Sequence, residues 1–308
     1  MRSTAPLGIL PAVACAVLLH AVPAQAQPAR VFVALTGADA NPCTFASPCR
    51  SLQHAHDVVA AGGEMRMLDA GGYGPLTITK SISIVGSGHG RIEAGAGATA
   101  ITINAGASDR IDLRGLTIEG LGTGGTGIVL NAGRALSIEG SVIRNFVANG
   151  IEFVPSTTSV LDVSRTVVAD FSGHGSAILI APSATAAVSA TLSHVTVDDS
   201  YNGLYVLGTG TAGSVDVTVA DSSIRNSDND GIDARSDGGA VAIVVRDSIV
   251  ANNTGTGLSA GPTTAIRVTR SRITSNGTGW SGPVSIYGAN DIAGNTIANS
   301  APPSATYE

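Results

Sequence analysis

Along most of the chain, short runs that alternate apolar and polar residues return at a nearly fixed interval. Residues 217–234, VTVADSSIRNSDNDGIDA, show one unit. With Ile224 as anchor, aliphatic residues stand five and seven positions before it and Asn226 stands two after it. The same frame fits anchors at Ile118, Ile143, Val168, Val197, Ile224, Val250, Ile273 and Ile297, spaced 23 to 29 residues apart. The minus-five column reads Leu113, Ile138, Val163, Leu192, Val219, Val245, Val268 and Ile292. The minus-seven column reads Ile111, Leu136, Leu161, Ala190, Val217, Ile243, Ile266 and Asn290, the last being its one polar break. A third run in each unit opens at a Gly followed by an aliphatic residue, as in Gly150-Ile151, Gly203-Leu204, Gly231-Ile232 and Gly257-Leu258, with Ile178 in the same place. Period-two alternation inside a repeat of this length predicts a solenoid with three short parallel strands per coil. Eight anchored coils stacked at roughly 4.8 Å climb about 34 Å. Length differences fall outside the segment from minus seven to the anchor, which assigns insertions to turns.

Polar columns repeat with the apolar ones. Two residues after the anchor stand Gly120, Asn145, Asp170, Asp199, Asn226, Asn252, Ser275 and Asn299. Asn and Asp tolerate left-handed turn geometry, and stacked amides hydrogen-bond along the axis, so this column predicts a turn ladder. Glu119 beside Arg144, Asp198 beside Arg225 and Arg114 beside Glu139 read as exposed charge pairs on neighbouring coils that hold register.

The two ends break the repeat. Arg2 is the only charge before an apolar run from Leu7 to Val22, and Ala24-Gln25-Ala26 supplies small residues. That pattern predicts an export signal, residues 1–26, cleaved after Ala26. Residues 27–63 form an N-terminal segment, 64–300 the solenoid and 301–308 a tail whose Pro302 and Pro303 blunt the last edge. Trp280 replaces the aliphatic residue of the third run and, with Tyr287, is placed to plug the last coils. Cys43 and Cys49, in NPCTFASPCR, predict a small disulfide in an oxidising compartment, with a pair of free thiols as the alternative. Residues 51–63 read as a short helix with Ser51 as N-cap and Leu52, Ala55, Val58 and Val59 on one face, covering the open end of the first coil. His54, His56 and Asp57 are assigned to its solvated face.

The chain carries 17 basic and 23 acidic residues, and loss of residues 1–26 removes Arg2 and no acid, leaving a net charge of −7. This surface does not suit nucleic acid or an anionic membrane, and the mature chain carries no membrane span. Charged residues are 13% of the chain while Gly numbers 39, a balance that suits tight stacked turns.

The succession of capping helix, Gly62-Gly63, EMRML, GGYG, ITKSISIVG and then coils of 23 to 29 residues resembles the pectate-lyase-like superfamily of secreted right-handed parallel β-helix proteins. The likeness covers roughly residues 30–300 and is one of architecture. It implies an all-β fold, a right-handed parallel β-helix of about ten coils with a short N-terminal capping helix. Polysaccharide lyases, hydrolases, epimerases, phage tailspikes and non-catalytic surface proteins share that fold, so the fold does not choose a chemistry.

Three constellations carry candidate chemistry. At the mouth of the third run, SGHGSAI, DDSYNGLY and NSDNDGID put His174, Ser200 and Asp228 in one column, with Asp199, Asp230, Asp233 and Tyr205 close by. Carboxylates, a His and an aromatic platform in one groove suit acid-base cleavage of a glycosidic bond. Asp199, Asp228, Asp230, Asp233 and His174 are therefore the catalytic candidates, and Glu152, Tyr205 and Arg225 the substrate-binding ones. DGID and GHG are similar to motifs of polygalacturonase-type hydrolases, but their order is reversed here. That family's closing Arg-x-Lys is absent, since Lys80 is the only lysine.

The second constellation is the column three before the anchor, Arg165, His194, Asp221, Asp247 and Arg270. Asp221 and Asp247, one coil apart, are candidate Ca²⁺ ligands, and the resemblance to pectate lyases would make a neighbouring Arg the base of a β-elimination. The same column also reads as a self-compensating charge ladder. The third is the outward row Glu152, Leu179, Tyr205, Asp233 and Ser259, a polar groove with few aromatics. These patterns lead to an exported protein, monomeric and secreted or periplasmic, that binds and in one version cleaves a polysaccharide. The competing reading is a non-catalytic structural or adhesive surface protein.

Overall fold

The computed structural model describes residues 26–86, 88, 90–297 and 301–305. The export-signal pattern lies outside the described residues apart from Ala26.

The columns become three parallel sheets of eleven, nine and nine strands. From the second strand onward the chain visits them in rotation, giving nine complete coils among the described residues with one further first-sheet strand at each end. The molecule is thus a parallel β-helix, its three sheets built wholly from parallel strand pairs. Ladder pairs run Leu113 to Ile138 to Val163 to Leu192 to Val219 to Val245 to Val268 in the first sheet. In the second they run Ile118 to Ile143 to Val168 to Val197 to Ile224 to Val250 to Ile273. In the third they run Ile128 to Ile151 to Ile178 to Leu204 to Ile232 to Leu258 to Trp280. Every aliphatic member of these columns is buried, and together they form one continuous core cluster. Burial of an aliphatic side chain contributes about 1.5–3 kcal/mol, so register is strongly enforced along the whole stack.

The last coil departs from the sequence frame. Ile297 is 61% exposed and bridges Thr278 of the third sheet, so it is not an anchor. Arg272 bridges Asp291, which puts Ile292 above Ile273, and Val284 and Ile286 take the places above Ile266 and Val268. The polar break at Asn290 reflects that five-residue misregister.

Two of the three corners of most coils share one device, a single left-handed residue followed by a buried side chain. Between the first and second sheets the left-handed position is held by Gly115 and Gly140 and then by Arg165, His194, Asp221, Asp247 and Arg270, whose φ angles lie between 46° and 55°. The next residue feeds a hydroxyl ladder. Ser141 accepts from the Leu116 N–H, Thr166 from Ser141, Ser222 from Val195, Ser248 from Ser222 and Ser271 from Ser248, at 3.0–3.3 Å. Each of these hydroxyls also donates to the carbonyl two residues before it. Buried backbone donors at a corner thereby find partners, which offsets the roughly 1–2 kcal/mol that a left-handed L-residue costs.

Between the second and third sheets the left-handed position is held by Asn145, Asp170, Asp199, Asn226, Asn252 and Ser275. The amide ladder lies one residue later than the sequence frame placed it. Asn253 Oδ1 accepts from the Ser227 N–H, Asn276 Oδ1 from the N–H and Nδ2 of Asn253, and Asn295 Oδ1 from those of Asn276. The left-handed Asn residues turn outward instead, so that Asn145 and Asn226 donate to Glu119 and Asp198 of the preceding coil.

The N-terminal end is closed by the helix Leu52–Val58, whose Ser51 cap accepts from the His54 N–H at 3.2 Å. His56 is 3% exposed, not solvated, because its Nε2 accepts from the Thr79 N–H beneath the helix. The disulfide between Cys43 and Cys49 closes a loop that pairs with the edge strand Arg30–Val33, with Phe32 N–H donating to Cys43 O and Cys49 N–H to Phe32 O. At the other end Pro302 is buried, and Ile286 N–H donates to Pro303 O. Both ends of the first sheet are thereby covered.

Candidate functional site

The outward face of the third sheet carries the row Glu152, Leu179, Tyr205, Asp233 and Ser259, adjacent on successive coils. Turns from the second sheet rise along one side of it and the longer loops back to the first sheet along the other. Between them lie two adjoining cavities, of about 400 Å³ around Tyr201 and Tyr205 and about 440 Å³ around Ser236 and Ser259. Asp233 and Arg235 line both.

Asp233 is the least expected member of the row. It faces outward by strand alternation, yet it is 1% exposed. Its Oδ2 accepts from Arg235 Nε at 2.8 Å, while Oδ1 makes no hydrogen bond of acceptable geometry. Burial pushes its carboxyl above the usual carboxylate range. Asp230 adds to the shift, and Arg235 and the neighbouring Ser259 hydroxyl oppose it. Arg235 follows Asp233 by two residues and so shares its side of the strand. Its guanidinium carbon stands 5.9 Å from the centre of the Tyr205 ring. Burial likewise raises the Tyr205 phenol.

The remaining catalytic candidates separate. Asp230 is buried and accepts from the Thr256 N–H at 2.6 Å, which fixes the turn below it. Asp228 and Asp199 are exposed on the turn rim, where burial and then the charges of Asp170, Asp228 and Asp198 raise the Asp199 carboxyl. His174 lines the smaller cavity, its ring edge-on to Tyr201 with centroids 5.0 Å apart. Ser200 does not share its column. It is buried and pairs with Ser227, not with Asp228, because the turn from Ser227 to Ile232 is one residue longer than the turn from Ser200 to Leu204.

Of the binding candidates, Tyr205 lines the smaller cavity, and Glu152 is held by Asn149 Nδ2 at 3.0 Å just beyond it. Arg225 projects from the second sheet, bonded to Asp198 Oδ2 at 3.0 and 3.2 Å, and lines neither cavity. Asp221 and Asp247 sit at the first corner, on the far side of the coil. Arg270 grips both oxygens of Asp247 at 2.7 Å and holds its carboxyl below the usual range. Arg246 stands 3.9 Å from Asp221 and 3.5 Å from Asp247. A cation here would have to displace guanidinium groups. The disulfide joins the predicted cysteines.

Tyr201, Arg235 and the amides of Asn149, Asn202 and Asn229 belong to the site without having been singled out from sequence. Arg235 was readable from its spacing to Asp233. Tyr201 was not, because it sits in a turn between the second and third sheets whose length changes from coil to coil.

No family model and no curated protein matches the sequence. Among solved structures, the crystal structure of pectate lyase Pel9A superposes with a TM-score of 0.51 at 14% identity, over 83% of this chain and 67% of that one. A rhamnogalacturonan lyase covers 80% of this chain and 76% of its own at a TM-score of 0.37 and 12% identity, too loose to bear an argument. At such identities the likeness is one of fold, and it agrees with the strand rotation described above.

Proposed function

We propose that the chain is an exported protein that binds an extended polysaccharide along the groove outside the third sheet, with Asp233 as the acid-base group of a cleavage step. One observation carries this reading. A buried carboxylate with an unshared oxygen and an upshifted pKa forms the wall common to two cavities, beside an aromatic ring and a guanidinium. Arg235 roofs Asp233, so a ligand that draws the guanidinium toward itself uncovers the acid. The fold neighbour named pectate lyase supports a saccharide ligand by analogy alone. The leader pattern and the Cys43–Cys49 disulfide support export, and among the described residues no helix is long and apolar enough to cross a membrane. The covered edges at both ends support a monomer.

The test is to incubate the purified protein with acidic and neutral glycans, with and without Ca²⁺, following unsaturated products by ultraviolet absorbance and reducing ends by dye. Product formation that disappears in Asp233→Asn, with the melting temperature retained, is the expected result. Saturable retention without product leaves a binding module. Neither outcome with any glycan favours the second reading, a scaffold protein. That reading draws on the first corner, where Arg165, Asp221, Asp247 and Arg270 of the charged column are each ion-paired.

A further inference from the structure

The smaller cavity has a composition that speaks to its ligand. Two of the chain's five tyrosines, Tyr201 and Tyr205, line it together with His174. Its wall otherwise presents three carboxamides, Ser176, two leucines and the Asp233–Arg235 pair. Those two fixed charges cancel each other at 2.8 Å, so among the described residues no unpaired arginine or lysine lines the cavity. Acidic groups stand nearby, Glu152 bonded to the lining Asn149, Asp228 next to the lining Asn229 in the chain and Asp237 in the wall of the adjoining cavity, and they add a negative field.

An anionic sugar entering here would lose hydration beside an already neutralised guanidinium and meet that field, with no charge-assisted bond to offset the loss. A neutral pyranose meets neither penalty. Its apolar ring face suits a tyrosine, and its hydroxyls suit the carboxamides. We infer that the Tyr201–Tyr205 cavity is a subsite for a neutral hexopyranose or pentopyranose, not for a uronate. This inference rests on the reading that the groove holds a glycan, and it narrows the class of that glycan.

The experiment compares calorimetric titrations of the full chain with gluco-, manno- and xylo-hexasaccharides and with hexagalacturonate, at low and high salt. The expected result is saturable, salt-insensitive binding of a neutral series, weakened at least tenfold in Tyr205→Ala. Unchanged circular dichroism and melting in that variant exclude misfolding as the cause. Tyr201→Phe, which keeps the ring and removes the hydroxyl, should retain most of the affinity. Tighter binding of hexagalacturonate that weakens in salt overturns the inference while leaving the groove reading intact. Neutral binding that ignores Tyr205→Ala overturns the placement, and no binding by any series removes the groove reading itself.

Discussion

The corner between the first and second sheets and the outward face of the third are built from the same short strands, and they treat polar groups in opposite ways. At the corner nearly every donor has an acceptor. Ser222, for example, accepts from one coil, donates within its own and passes its N–H to Ser248. Asp247, the most chemically suggestive residue there, is gripped on both oxygens. On the third-sheet face, Asp233 is more deeply buried than Asp247 and still keeps an oxygen unshared. Saturated polar columns build a solenoid, whereas an unsatisfied buried carboxylate is a cost retained for another purpose.

This contrast can be broken by substitution. The largest effect should come from the amide ladder. Asn253→Ala removes the acceptor of the Ser227 N–H and the donor to Asn276, and should cost roughly 3 kcal/mol in denaturant unfolding. A loss below roughly 1 kcal/mol would show that the ladder is not a stabilising element. Next, Cys43→Ser with Cys49→Ser opens a short loop and should cost roughly 2 kcal/mol. It also loosens the cover on the edge strand Arg30–Val33, so light scattering at elevated temperature should rise. Ser222→Ala leaves the Val195 N–H unpaired and should cost about 1–2 kcal/mol.

Asp233→Asn should behave differently from these three. Burial raises the folded pKa of Asp233 above the unfolded value of about 3.9. Its stabilising contribution is therefore complete below the unfolded pKa and is lost as pH rises through the folded one. The Asn variant escapes that loss, so its melting temperature relative to wild type should climb from about pH 3 to about pH 7. A flat or falling difference would mean that Arg235 compensates the charge fully. The smallest effect belongs to Arg225→Ala, which removes a half-exposed pair with Asp198 and should cost under about 1 kcal/mol, less in high salt.

The core was readable from sequence because a buried aliphatic residue must recur wherever a coil passes the same point. Leu192, Val219 and Val245 stack as their spacing requires. The frame failed at Ile297 because the final coil is shortened, and an anchor chosen by period alone slid past Ile292. The ladders were half readable. Asn226 and Asn252 announce left-handed corners, but the internal amide belongs to the following residue, and a Ser such as Ser248 looks like ordinary turn chemistry until its two bonds are seen. The candidate site was less readable still. Asp233 and Tyr205 could be placed on one outward row, yet nothing in the repeat shows that Arg235 bonds Asp233 or that Tyr201 lines the cavity. Burial of an outward-facing side chain depends on neighbouring loops, and loops are where the period is silent.

The most direct measurement is a crystal structure of the protein soaked with whichever glycan it retains. An ordered chain of sugar rings running from Tyr205 across Arg235 toward Ser259, with a hydroxyl on Asp233, is the expected result. Sugar ordered only against the Asp221–Asp247 corner, or on the first sheet, with the third-sheet groove bare, would contradict the assignment of function to that face.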